Sequence, residues 1–169
     1  MKLARPVLVI VFAAAVLAAG ALAWRAAATD EVALAVSYTL LDGRKGNTAS
    51  MRGKVILINF WATSCATCVA KMPEIAATHQ QFKSRGFETL AVAMRHDAPA
   101  SVVHFAQTRQ LPFGVAIDNT GEIARRFGDI QLTPTTLLID KRGHIVKRYV
   151  GAPDFAALHA LIEILLAEA

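Results

Sequence analysis

The sequence predicts one α/β domain in which helices cover a mixed central β-sheet. Short apolar runs alternate with helix-patterned segments along the chain. Two of those runs, residues 55–62 and 88–94, are apolar almost throughout and read as strands buried on both faces. A Lys141-Arg142-Gly143 turn joins two further extended segments as a hairpin. About 140 residues follow the first thirty or so, enough for one core and too few for two ordinary domains.

The elements follow in order. Residues 38–41 form an extended piece, Asp42-Gly43 a turn and residues 48–51 a weak second extended piece, together an N-terminal β-hairpin. Arg52-Gly53-Lys54 turns the chain into the strand at 55–62. The next helix runs to about residue 85, with Gly86 as a stop and Pro73 predicting a kink. A strand at 88–94, a helix at 98–110, a short strand at 113–117 and a short helix at 122–127 continue the alternation. The hairpin strands are residues 135–140 and 144–150, and Asp154 caps a last amphipathic helix through residue 166.

The chain has only two cysteines, in Asn59-Phe-Trp-Ala-Thr-Ser-Cys65-Ala-Thr-Cys68, where the first buried strand gives way to a helix. Unpaired N–H groups and the partial positive charge of a helix N-terminus stabilise a sulfur anion there, so Cys65 is the expected nucleophile. Two intervening residues let Cys68 reach Cys65 within one helical turn and displace a mixed disulfide, making Cys68 the expected resolving thiol. No bound cofactor is needed beyond the Cys65–Cys68 disulfide. Structural zinc would need four ligands, and no second close-spaced pair accompanies the cysteines, so no metal is expected. A purely structural disulfide across so short a loop would constrain the unfolded chain very little. His79, His96, His104, His144 and His159 are dispersed without ligand-like spacing and are read as non-catalytic. Trp61 is expected beneath the dithiol, shaping substrate access.

Residues 1–28 read as a transmembrane anchor or signal peptide, residues 29–36 as a spacer and residues 37–169 as the folded domain. The run from Pro6 to Trp24 carries no charge and is close to the ~20 residues that cross a bilayer as a helix. Lys2 and Arg5 precede it, which keeps the N-terminus in the cytoplasm and sends the domain to the far side of the inner membrane. Ala21-Leu22-Ala23 also fits a cleavage pattern, which would release a soluble exported form. The net charge of +5 is partly carried by Lys2, Arg5 and Arg25. No arginine-rich run is interleaved with aromatics, which argues against nucleic-acid binding.

Taken together, Tyr38-Thr-Leu-Leu-Asp-Gly, Arg52-Gly-Lys-Val-Ile-Leu-Ile-Asn-Phe-Trp-Ala-Thr, the C-x-x-C pair with Pro73, and Thr133-Pro-Thr-Thr-Leu-Leu-Ile-Asp140 with Gly143 and Gly151 resemble the thioredoxin superfamily. The resemblance runs from about Tyr38 to the C-terminus and is strongest to the exported TlpA/ResA-like thiol-disulfide oxidoreductases. It implies a thioredoxin-like fold and a cis peptide before Pro134. It also implies that the Thr133 backbone pairs with an extended substrate chain, so that main-chain pairing presents a substrate sulfur to Cys65.

Four positions depart from the commoner pattern. Ser64 stands where a tryptophan often faces substrate. Thr67 replaces a proline and leaves an N–H free for the Cys65 thiolate. Lys71, where some relatives have glutamate, places a cation one turn past Cys68. Asn59 replaces a buried acid and cannot titrate. The resemblance implies a membrane-tethered enzyme that reduces disulfides in other exported proteins, cytochrome c maturation included, and draws electrons from a membrane thiol donor. The alternatives are a disulfide-forming oxidant using the same pair, or a redox-sensing binding module or chaperone without turnover. A thiol peroxidase would need threonine and arginine around a lone reactive cysteine, which the sequence lacks.

Overall fold

The computed structural model describes residues 35–168. The anchor or signal segment at 1–28 lies outside them, as does most of the spacer. Among the described residues no helix is long and apolar enough to cross a membrane.

A hairpin of β1 (Ser37–Thr39) and β2 (Lys45–Asn47) comes first. The main sheet contains β3 (Val55–Trp61), β4 (Phe87–Ala93), β5 (Gly114–Ile117), β6 (Thr135–Ile139) and β7 (Ile145–Val150). Its order is β5-β4-β3-β6-β7; β3 runs parallel to β4 and antiparallel to β6. The helices are α1 (Ala66–Phe82), α2 (Pro99–Thr108), α3 (Glu122–Arg126) and α4 (Phe155–Ala167).

The apolar run of β3 explains its central place, because every one of its residues is buried. Alternation sends Val55, Leu57 and Trp61 to one face, where they join Met72, Phe82, Val102, Leu158 and Ile162 under α1, α2 and α4. Ile56, Ile58 and Phe60 face the other way, onto Ile123, Ala124 and Phe127 of the α3 region and Tyr38 of the hairpin. A strand clothed on both faces and paired on both edges has little freedom, so whatever leaves its C-terminal end is held firmly.

The second hairpin strand is Lys45–Asn47 rather than the expected 48–51, which is a 3₁₀ turn. Asn47 is the cause. Its side chain accepts the Ala49 N–H at 2.8 Å and diverts the chain from further pairing. Gly46 is required here, since an added Cβ would stand 2.4 Å from the Tyr38 ring. The hairpin then covers the sheet edge, with the Leu41 N–H bonded to the Val115 carbonyl at 2.9 Å. α1 continues through Pro73 to Phe82; a 3₁₀ turn over Lys83–Arg85 and Gly86 at φ 90° end it. Asp154 caps α4 through the Ala156 and Ala157 N–H groups.

His79 of α1 is buried, packed edge-on to Phe113 at 5.6 Å, and its Nδ1 has no partner. Burial chiefly lowers its pKa below the ordinary value; Glu88 pulls it up and nearby Lys83 lowers it further. The folded protein therefore binds fewer protons at this site than the unfolded chain, and the associated stability is present above the unfolded value of ~6.5 and lost as pH falls from there through the lower folded value. Urea unfolding at about pH 7.5 and 5.5 is expected to show a smaller acid-side loss of stability in His79→Gln than in wild type. An equal loss in both proteins would contradict a buried neutral imidazole.

Candidate active site

β3 ends at Trp61, and a tight turn carries the chain to α1, closed by the Cys65 N–H on the Ala62 carbonyl at 3.2 Å. Cys65 takes the N-cap position with an extended backbone, and its Sγ accepts the Cys68 N–H at 3.2 Å. Sulfur thus stands where a Ser, Thr, Asp or Asn oxygen usually satisfies a helix N-terminus. Cys65 and Cys68 are joined as a disulfide with their Cα atoms 5.2 Å apart. Cys65 is half-buried, whereas Cys68 is only 3% exposed and belongs to the core beside Met72. An incoming group can therefore reach the first sulfur far more readily than the second.

The antiparallel register of β3 and β6 sets Phe60 opposite Thr135, which brings Thr133-Pro134 to the same end of the sheet as the cysteines. The Thr133–Pro134 peptide is cis. Pro134 is buried and its carbonyl accepts the Gly151 N–H at 2.8 Å. Among the described residues the Thr133 main chain has no hydrogen-bond partner, leaving a donor and an acceptor for an extended chain. Leu132 and Val150, each 64% exposed, lie beside this segment and add apolar surface that sequence reasoning passed over. Their signal was placement: one precedes Thr133-Pro134 and the other ends the hairpin paired with Thr135.

The structure also places the other expected site residues. Trp61 has no exposed surface, shares the core cluster with both cysteines and packs against Phe105 with ring centroids 5.1 Å apart, so it supports the dithiol from beneath. Thr67 is exposed, and its N–H is not the one that reaches Cys65; the N-cap geometry selects the third helical residue, Cys68. The Lys71 ammonium pairs with Glu74 at 2.7 Å on an exposed face, so its charge is partly balanced by a carboxylate and screened by solvent. Ser64 is exposed beside Cys65, where a substrate would pass.

Asn59 is buried and donates from Nδ2 to Thr136 Oγ1 at 2.9 Å, a polar pair that stitches β3 to β6 without a titrating group. His159 and His144 make structural contacts: His159 Nε2 meets Thr78 Oγ1 at 2.8 Å, and His144 Nδ1 meets Asp140 at 3.3 Å. Among the described residues no group of three or more His, Cys, Asp and Glu side chains is gathered to hold a metal ion. Asp97, in the loop just past β4, is buried and bonded to Thr63 of the active-site turn.

A five-stranded mixed sheet flanked by helices, with a C-x-x-C pair at a helix N-terminus and a cis-proline at the same sheet end, defines a thioredoxin-fold dithiol protein. The chain belongs to the Redoxin family, whose pattern matches residues 27–162. It is 35% identical over 113 residues to the thiol-disulfide oxidoreductase ResA of Bacillus thuringiensis subsp. konkukian, covering 67% of this chain and 64% of that relative's length. ResA of Geobacillus thermodenitrificans is 32% identical over 130 residues, covering 73% of this chain and 74% of the relative. The solution structure of a putative thioredoxin from Neisseria meningitidis superposes with a TM-score of 0.76 at 40% identity, covering 83% of this chain and 93% of that one.

The full burial of Trp61 has a measurable consequence. Trp61→Ala is expected to lower unfolding free energy by about 3–5 kcal/mol, as truncation of a fully buried aromatic does. Ser64→Ala, on the exposed turn, is expected within about 0.5 kcal/mol of wild type by urea denaturation.

Proposed function

We propose that the protein is a thiol-disulfide oxidoreductase that reduces disulfides in other exported proteins. Residues 1–28 hold it to the inner membrane, and residues 37–169 form the catalytic domain on the extracytoplasmic side. The observation that carries this reading is the asymmetric pair: Cys65 accessible at the helix N-terminus, Cys68 buried directly behind it.

In the reduced protein the Cys65 thiolate, steadied by the Cys68 N–H and the helix dipole, attacks one sulfur of a substrate disulfide. A Cys65–substrate bond forms, the substrate S–S bond breaks, and the departing sulfur takes up a proton. Cys68 then loses its proton and attacks Cys65 Sγ, breaking the mixed disulfide and releasing the second substrate thiol. Two electrons pass to the substrate, and the Cys65–Cys68 disulfide remains. Because Asn59 cannot accept the Cys68 proton, water or the leaving substrate thiolate takes it. The free main chain of Thr133, beside Pro134, pairs with the extended substrate, while Ser64, Leu132 and Val150 form the surrounding surface. A surface of this kind selects by backbone, which suits broad substrate choice, including the haem-attachment cysteines of c-type cytochromes.

The pair must be reduced again for each turnover, and outside the cytoplasm no thiol pool does so. An integral membrane thiol carrier supplies the electrons in this reading, and tethering keeps the domain within its reach.

Titration of the full chain against glutathione or dithiothreitol tests the direction of flow. A reductant is expected at or below about −230 mV, in the thioredoxin range. A potential near −120 mV, where the strong oxidants lie, would overturn the reductase reading in favour of disulfide donation. Cys68→Ala is expected to accumulate mixed disulfides through Cys65 with exported proteins; capture of none would favour a sensing module without turnover.

A further inference from the structure

Asp97 lies outside both the dithiol helix and the strand that leads to it, yet it grips the turn between them. It is buried in the loop just past β4, with its own N–H bonded to the Met94 carbonyl at 2.9 Å. Oδ2 accepts the Thr63 backbone N–H at 2.5 Å and Oδ1 accepts the Thr63 hydroxyl at 2.5 Å. Among the described residues no cation pairs with Asp97. A buried carboxylate without a counter-ion depends on its hydrogen bonds, and Thr63 supplies both of these.

Thr63 sits inside the turn closed by the Cys65 N–H on the Ala62 carbonyl. Fixing its backbone and side chain together therefore fixes the path by which the chain enters the N-cap. We propose that Asp97 is a positioning residue that, through Thr63, holds Cys65 at the α1 N-terminus and thereby sets the redox equilibrium of the pair. This inference rests on the thiol-exchange reading above.

The two redox states depend on the clasp unequally. In the disulfide form a covalent bond ties Cys65 to Cys68, which the helix and core already hold. In the dithiol form that tether is gone, and the turn with its Asp97 clasp keeps the sulfur within reach of the Cys68 N–H. Loss of the clasp therefore costs the reduced form more than the oxidised one. A contact that served folding alone would weaken both forms equally and leave the equilibrium with glutathione unchanged.

The test is the equilibrium of the full chain with glutathione, in which two glutathione thiols are oxidised to one disulfide as Cys65–Cys68 is reduced. Urea unfolding of each redox form accompanies it. Thr63→Val removes one clasp bond and leaves the Asp97 charge in place. It is expected to shift the equilibrium about fivefold toward the protein disulfide, equal to roughly 20 mV more negative at ~30 mV per tenfold. Asp97→Ala is expected to shift it in the same direction, Thr63→Val to add nothing further in the Asp97→Ala background, and Thr63→Ser to restore the wild-type value. An unchanged equilibrium in Thr63→Val, with both redox forms equally destabilised, would overturn the proposal. So would opposite shifts in the two variants, which would mean that Asp97 acts by its charge. A wild-type chain that does not equilibrate with glutathione at all would instead overturn the exchange reading itself.

Discussion

The hydrogen bond from the Cys68 N–H to Cys65 Sγ is the contact on which the site depends. It makes sulfur the cap of a long helix, so the same group that satisfies an orphan backbone donor is the group that reacts. Strand β3 makes this capping possible. Buried along its whole length and paired with β4 and β6, it brings the chain to one fixed point before the turn. Only a short turn separates that anchored point from the N-cap, and Asp97 grips the turn from the loop that follows β4.

Burial divides the chemistry between the two cysteines. Cys68 belongs to the core, where a partner must come through Cys65, while Cys65 meets solvent next to the exposed Ser64. The cis-proline segment lies at the same sheet end, with a Thr133 main chain that has no partner among the described residues and apolar side chains at Leu132 and Val150. In the proposed exchange, recognition and reaction therefore fall to different elements, the β6–β7 end of the sheet and α1.

Much of this was legible in the residues. Periodicity located the two buried strands and the long helix, because a doubly covered strand must be apolar throughout and an amphipathic helix must repeat. Spacing alone linked Cys65 to Cys68. Other features were hidden because they depend on what meets in space. Trp61 next to a dithiol reads equally well as substrate wall or core, and only its packing on Phe105 decides for the core. Lys71 reads as a cation near the dithiol until Glu74 is seen to hold it. Thr48 to Met51 carries no signal of a 3₁₀ turn except Asn47 just ahead of it. Asp97 is 34 positions from Thr63, and an acid in the loop past a strand has no periodic mark.

The central claim is that position at the helix N-terminus makes Cys65 the reactive sulfur and leaves Cys68 shielded. Its most direct test is alkylation of the fully reduced chain with limiting iodoacetamide near neutral pH, with the modified residue identified by peptide mass spectrometry. The account predicts that Cys65 is labelled first, and faster than free cysteine, with Cys68 protected until the chain is unfolded. Preferential labelling of Cys68, or equal labelling of both at the free-cysteine rate, would contradict it.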